Sequence, residues 1–274
     1  MDSLVSTEWL AEHLADPDLI ILDATKHLAT SGRDAGAEYL ATHIPGARFL
    51  NLGDFADPAS SVGKTLPGPT HAAIRFSSLG IEPGSRVVLY DDSAVKTSAR
   101  AWFILRGYGV GDVAILDGGL GKWRAEGRQL ERGKPRAATS EFAALDFGGA
   151  VRSKAEMLAN IASGAEQVID ARDADRFTGS ARDAVHDLPG GHIPGARHLF
   201  FRDLFDADGT FKPEADLRAA FDAAGVDLTR PIVTSCGSGV TASVLLFALH
   251  RLGVEGAALY DGSWSEWGAD PATP

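Results

Sequence analysis

The chain holds a single cysteine, Cys236, in 274 residues. That excludes an intrachain disulfide, a CxxC redox pair and a cysteine-cluster zinc site. No apolar run reaches the ~18 residues of a membrane-spanning helix, so no membrane partner is expected. The first residues, MDSLVSTEWLAEHL, lack a basic stretch followed by an apolar one and suggest a capped amphipathic helix, not a secretory signal. Basic runs are missing too. Lys and Arg number 26 against 37 Asp and Glu, a net charge of -11, which sets nucleic acid aside as a partner. An anionic substrate would have to find positive charge at its own site. With neither signal nor disulfide, the expected compartment is the cytoplasm. The composition that remains, 45% hydrophobic and 23% charged, is that of a globular protein.

An internal repeat organises the chain. His43-Ile44-Pro45-Gly46-Ala47-Arg48 returns as His192-Ile193-Pro194-Gly195-Ala196-Arg197. Ile21-Leu22-Asp23-Ala24 pairs with Val168-Ile169-Asp170-Ala171, and Ile115 to Trp123 pairs with Leu259 to Trp267, at nearly the same offset. Each copy alternates short apolar strands with amphipathic helices. The pattern predicts a helix at 7–14 or 154–161 and a strand ending in Asp23 or Asp170. A helix follows near 71–79 or 214–224, then a strand at 86–90 or 231–235, a helix at 97–106 or 241–252, and a last strand ending at Asp117 or Asp261. This is an α/β pattern with parallel sheets flanked by helices. The expected domains are residues 1–131 and 150–274, joined by a Pro/Ala-rich linker at 132–149. The position matching Cys236 in the first copy is Asp92, so only the second copy can use a thiol.

The segment Ile232-Val-Thr-Ser235-Cys236-Gly237-Ser238-Gly239-Val240-Thr241 is a strand, a glycine-containing loop and a helix start. Backbone N–H groups in such a turn can converge on an anion, backed by a helix N-terminus. That setting favours an anionic sulfur. A phosphatase loop needs Arg six residues after the Cys, where Ala242 stands. A dinucleotide fingerprint, Gly237-x-Gly239-x-x-Ala242 with Asp261 beyond, leaves the Cys unexplained and too little chain after it. His43 and His192 stand at equivalent turns and are expected to fix them. His186, His192 and His198 show no zinc spacing, and no metal is expected. Asp117 and Asp261 precede Gly as turn formers. Trp264 and Trp267 are expected to pack an inter-domain or C-terminal surface.

The Cys-Gly-Ser-Gly-Val-Thr loop, the paired HIPGA turns and the tandem halves with one Cys together resemble the rhodanese superfamily. Within it they resemble the two-domain 3-mercaptopyruvate/thiosulfate sulfurtransferases, over essentially the whole chain. The resemblance implies two tandem rhodanese-like domains, the second catalytic. It implies that Cys236 takes sulfur from a small anionic donor as a persulfide held by residues 237–241 (Gly237, Ser238, Gly239, Val240, Thr241). A thiol acceptor, such as a small thiol or a thioredoxin-like protein, or cyanide, then removes it, with no cofactor. A loop of this type goes with 3-mercaptopyruvate. The alternatives are thiosulfate:cyanide transfer and a non-catalytic sulfane-sulfur carrier. The resemblance also implies two substrate-binding arginines. Arg176, in Arg176-Phe-Thr-Gly179, fits the first, and Arg182 is the candidate for the second at a shorter spacing than usual. An Asp-His pair from the first domain, which relatives place near the loop serine, is not matched. Lys64 takes the expected His position and is the candidate for a cation near the site.

Overall fold

The structure is a computed structural model that describes residues 1–63, 65–134 and 139–274. Lys64 and part of the expected linker, 135–138, lie outside the described residues. Two compact units result. The first comprises Met1–Ala56, Leu66–Phe147 and Ala207–Phe211, the second Asp57–Thr65, Gly148–Asp206 and Lys212–Pro274. Part of the expected linker is docked structure. Ser140 N–H donates to Ser77 O, and Phe147 packs against Phe103 and Tyr108 within the first unit.

The first unit runs β1 (Leu4–Val5), α1 (Thr7–His13), β2 (Leu19–Asp23), α2 (Ala35–Ala41), β3 (Arg48–Phe49), α3 (Pro69–Ser78), β4 (Arg86–Tyr90), α4 (Ser98–Gly107), β5 (Asp112–Leu116) and α5 (Gly119–Ala125). Its strands form one parallel sheet in the order β1-β5-β4-β2-β3. The apolar runs of β2, β4 and β5 are buried apart from their first residues, as strands covered on both faces must be. Ser6 caps α1 by accepting from Trp9 N–H, so the N-terminal residues do form the capped helix expected.

The second unit repeats this order: β6 (Val151–Arg152), α6 (Lys154–Ser163), β7 (Gln167–Asp170), α7 (Ala174–Thr178), β8 (Arg197–His198), α8 (Glu214–Ala223), β9 (Ile232–Ser235), α9 (Ala242–Arg251), β10 (Ala258–Tyr260) and α10 (Ser263–Trp267). The sheet order is β6-β10-β9-β7-β8, again parallel throughout. Ser153 and Glu156 form a capping box on α6. Helix α9 is buried from Ala242 to Leu249, which its near-continuous apolar sequence requires. Both HIPGA segments are tight turns. Ala47 N–H donates to Ile44 O and Ala196 N–H to Ile193 O, with Gly46 and Gly195 at φ 76° and 79°. Only glycine takes that conformation freely, which explains its return in both copies. Among the described residues no helix is long and apolar enough to cross a membrane.

Two sequence expectations change here. The loops after β2 and β7 contain short helices, α2 and α7, capped by Asp34 and Asp173. Five and seven residues are too few for a visible helical period. Trp264 and Trp267 belong to the core of the second unit, beside Met157, Val233 and Tyr260, and do not cover a surface.

At the end of β7 the fully buried Arg172 pairs with Asp170 at 2.6 Å, donates to Gly191 O and lies 4.5 Å over the Trp264 ring. Removing one partner of a buried pair leaves the other charge uncompensated. Arg172→Leu is therefore expected to destabilise the second unit by about 3–5 kcal/mol, read as a lower urea midpoint.

Candidate active site

Strand β9 carries the chain through the sheet and ends beside the start of α9. Between them lies the loop 236–241. Asp170, Cys236 and Asp261 follow or end neighbouring parallel strands, so all three stand at the same edge, where open α/β sheets bind ligands. Cys236 is only 2% exposed. The loop is closed by a residue from the far end of the chain. The Ser263 hydroxyl accepts from Cys236 N–H at 3.2 Å and from Gly239 N–H at 3.1 Å, and donates to Tyr260 O at 2.8 Å. Trp264 N–H donates to Cys236 O, and both the N–H and the hydroxyl of Ser265 donate to Gly237 O. Ser243, in the first turn of α9, donates to Gly239 O.

This leaves a distinct set of donors. Among the described residues, the N–H groups of Gly237, Ser238, Val240 and Thr241 have no acceptor, nor do the hydroxyls of Ser238 and Thr241. Backbone N–H groups without partners in a loop at a helix start form an anion site. Gly239 adopts φ 76°, which the turn needs.

The segment after α7 reaches the same loop. A Cβ on Gly237 would meet His186 Cε1 at 2.1 Å, so the ring lies directly against the loop and Gly237 admits it. His186 Nδ1 is 3.1 Å from Asp183 Oδ1. Arg176 Nη1 is 3.5 Å from the same oxygen, and Arg172 Nη1 is 3.9 Å from Oδ2. Asp183 is fully buried. Burial pushes its carboxyl up, but the hydrogen bond from His186 and the charges of His186, Arg176 and Arg172 outweigh that and hold it at about 2.

Of the two arginines singled out, Arg176 is mostly buried and oriented. Its Nε donates to Asp173 at 2.6 Å, and Nη2 has no partner among the described residues. Arg182 is 61% exposed and pairs with Asp187. His192 Nδ1 donates to Phe177 O and the ring stacks on that of Phe177, and His43 does the same at Tyr39. Among the described residues no three His, Cys, Asp or Glu side chains gather as a metal site.

Sequence reasoning passed over Ser263 and Asp183, and weighed His186 only as a metal ligand. A signal for Ser263 existed, because the repeat aligns it with Gly119. Both adopt positive φ, 57° for Gly119 and 50° for Ser263. A serine where its copy has glycine bears a backbone strain for the sake of its hydroxyl. In the first unit the counterpart of the Cys loop is closed by charge instead. Asp92 pairs with Arg33 at 2.8 Å and Arg124 at 3.3 Å.

A rhodanese-like domain model matches residues 6–126 and again residues 153–270. The 3-mercaptopyruvate sulfurtransferase of Escherichia coli is 39% identical over 98% of this chain and 96% of its own. The thiosulfate sulfurtransferase of Bos taurus is 35% identical over 97% and 91%. The crystal structure of SseA from Escherichia coli superposes with a TM-score of 0.88 at 37% identity, covering 96% of this chain and 99% of that one.

Two outcomes follow from this geometry. Ser263→Ala leaves two buried N–H donors unsatisfied and keeps the strained φ. It is expected to cost about 1–3 kcal/mol in urea unfolding, with Ser263→Gly about 1 kcal/mol milder because glycine relieves the strain. Because Asp183 is held below its unfolded value, its stabilisation is complete above about pH 4 and is lost as the pH falls toward 2. The thermal midpoint is expected to drop across that window, and Asp183→Asn to flatten the drop.

Proposed function

Because the chain belongs to the rhodanese-like family through both of its halves, we propose that it is a sulfurtransferase that takes sulfur from 3-mercaptopyruvate onto Cys236 and passes it to a thiol or to cyanide. The observation that carries this is the buried Cys236 beside four N–H groups without acceptors.

The Cys236 thiolate attacks the thiol sulfur of the donor. A sulfur–sulfur bond forms, the carbon–sulfur bond breaks, and pyruvate leaves. The persulfide stays on Cys236, where the N–H groups of Gly237, Ser238, Val240 and Thr241 stabilise its outer sulfur. An acceptor thiol or cyanide then removes that sulfur and returns Cys236 to its starting state. Arg176, fixed by Asp173 and Asp183, offers Nη2 to the donor carboxylate. Arg182 joins it only by releasing Asp187. The first unit, with Asp92 bound by Arg33 and Arg124, has no nucleophile at the equivalent position. Cys236 must be reduced to act, which fits a reducing compartment such as the cytoplasm.

The loop side chains favour mercaptopyruvate over thiosulfate. Residues 237–241 carry no charge, so nothing in the loop matches a doubly charged sulfonate. Full-length similarity to a thiosulfate sulfurtransferase makes that donor the proper competitor. Steady-state turnover with the two donors and one shared acceptor tests the reading. A higher kcat/KM for 3-mercaptopyruvate is expected, and a preference for thiosulfate overturns it. Cys236→Ser is expected to abolish turnover with both donors, and residual transfer would refute the persulfide route.

A further inference from the structure

His186 has no assigned part in the chemistry above, yet its ring lies on the residue that follows the nucleophile. A Cβ at Gly237 would stand 2.1 Å from Cε1, 2.8 Å from Nδ1 and 3.0 Å from Nε2. The ring is oriented. Asp183 is an ionised carboxylate and can only accept, so Nδ1 carries the hydrogen that it receives at 3.1 Å. In the neutral ring Nε2 then holds a lone pair. Nε2 is buried and without a hydrogen-bond partner, and the side chain as a whole is 11% exposed. A buried polar atom left without a partner is a cost; His43 Nε2 in the first unit bears it too, whereas His192 Nδ1 and His198 Nε2 bond to backbone oxygens.

We propose that His186 Nε2 is the proton carrier of the donor half-reaction, positioned by Asp183. The inference rests on 3-mercaptopyruvate being the donor. Neutral Nε2 takes the proton from the Cys236 thiol. Sγ attacks the donor sulfur, which keeps its own hydrogen, and the carbon–sulfur bond breaks. Its electron pair passes to the methylene carbon of the leaving pyruvate enolate. The proton on Nε2 moves to that carbon. Pyruvate, a hydropersulfide and a neutral imidazole remain, with no other reactant required. The imidazolium formed midway faces the Asp183 carboxylate, which Arg176 Nη1 meets at the same oxygen and Arg172 Nη1 at the other. The same dyad logic, a carboxylate fixing the tautomer of a histidine beside a nucleophile, operates in other covalent enzymes. Thiosulfate makes a different demand. Sulfite leaves on a bond between two sulfurs and needs no proton at a carbon.

Single-turnover release separates the two demands. The chain is mixed with 3-mercaptopyruvate at pH 7 and pyruvate is followed, or with thiosulfate at pH 9.5 and sulfite is followed. At pH 9.5 the medium itself can take the thiol proton, so a positioned base is no longer needed. Two variants are used. His186→Asn keeps an N–H for Asp183 but has nothing in place of Nε2, and His186→Gln keeps the volume. Both are expected to release pyruvate about 100-fold more slowly than the parent chain, to lose the acid limb of its pH–rate profile, and to release sulfite at pH 9.5 within about threefold of it. A structural anchor for the loop would be rescued by Asn, or its loss would slow both donors alike. Either result overturns the proposal, as does pyruvate release at the parent rate. A parent chain that releases sulfite but no pyruvate refutes the donor reading itself. A parent chain that releases pyruvate no faster than its variants refutes only the proton carrier.

Discussion

The Ser263 hydroxyl ties the Cys236 loop into a ring. It receives the N–H groups of Cys236 and Gly239 and is itself tied to Tyr260 O. Two of the loop's donors are thereby turned inward and satisfied by protein. The remaining N–H groups, at 237, 238, 240 and 241, have no acceptor among the described residues. The arrangement requires φ 50° at a residue with a side chain, which the backbone resists. The bonds from Trp264 and Ser265 to Cys236 O and Gly237 O hold that strained residue in place. Binding geometry at the sulfur thus depends on a turn some twenty-five residues away in sequence, not on the glycines of the loop alone.

The two copies show how one backbone can be kept while its chemistry is withdrawn. Both place an aspartate at the end of the second strand of their sheet, a loop after the central strand, and a positive-φ residue opening the last helix. In the first copy the loop carries Asp92, and Arg33 and Arg124 close over it. Glycine suffices at 119, because the loop there needs no hydroxyl to shape it. Asp91 does that work through Ser93 N–H and Ser98 N–H. In the second copy the same positions hold a thiol and a serine, and no charged residue stands on the loop.

Much of this was legible in the chain itself. The repeat, the central strands and the long helices follow from periodicity, because each spans enough residues to show a period. Strand β4 falls at 86–90, and β2 and β7 end at Asp23 and Asp170, as read from sequence, while β9 starts one residue later and β5 and β10 end one residue earlier. The two-residue edge strands β1, β3, β6 and β8 show no pattern, since pairing, not composition, makes them strands. The turn that holds Cys236 was legible for a physical reason: an apolar strand, two glycines and a helical run in that order make a strand-to-helix turn, and the structure has it between β9 and α9. His186 was not. Its meaning lies in lying against Gly237, some fifty residues on, and no local spacing reports such a contact. Arg182 stands at the opposite extreme. It was picked out by its neighbourhood in sequence, and the structure places it in solvent with Asp187.

The positive charge that a -11 chain must bring to an anionic donor has a source other than Arg172 and Arg176. Arg172 is matched by Asp170, and Arg176 by Asp173 and Asp183, so three carboxylates stand against two guanidinium groups. The cluster orients; it adds no net positive field. Attraction falls to the partial charges of the loop N–H groups and the start of α9, which together suit one negative charge better than two. Mercaptopyruvate brings a single carboxylate charge and departs as a carbon base that must be protonated. Thiosulfate brings two charges and departs without that need. A neutral loop meets the first difference, and an oriented imidazole with a partnerless Nε2 meets the second. Donor choice in this chain is then decided by the proton that the leaving group requires as much as by the charge that it carries in.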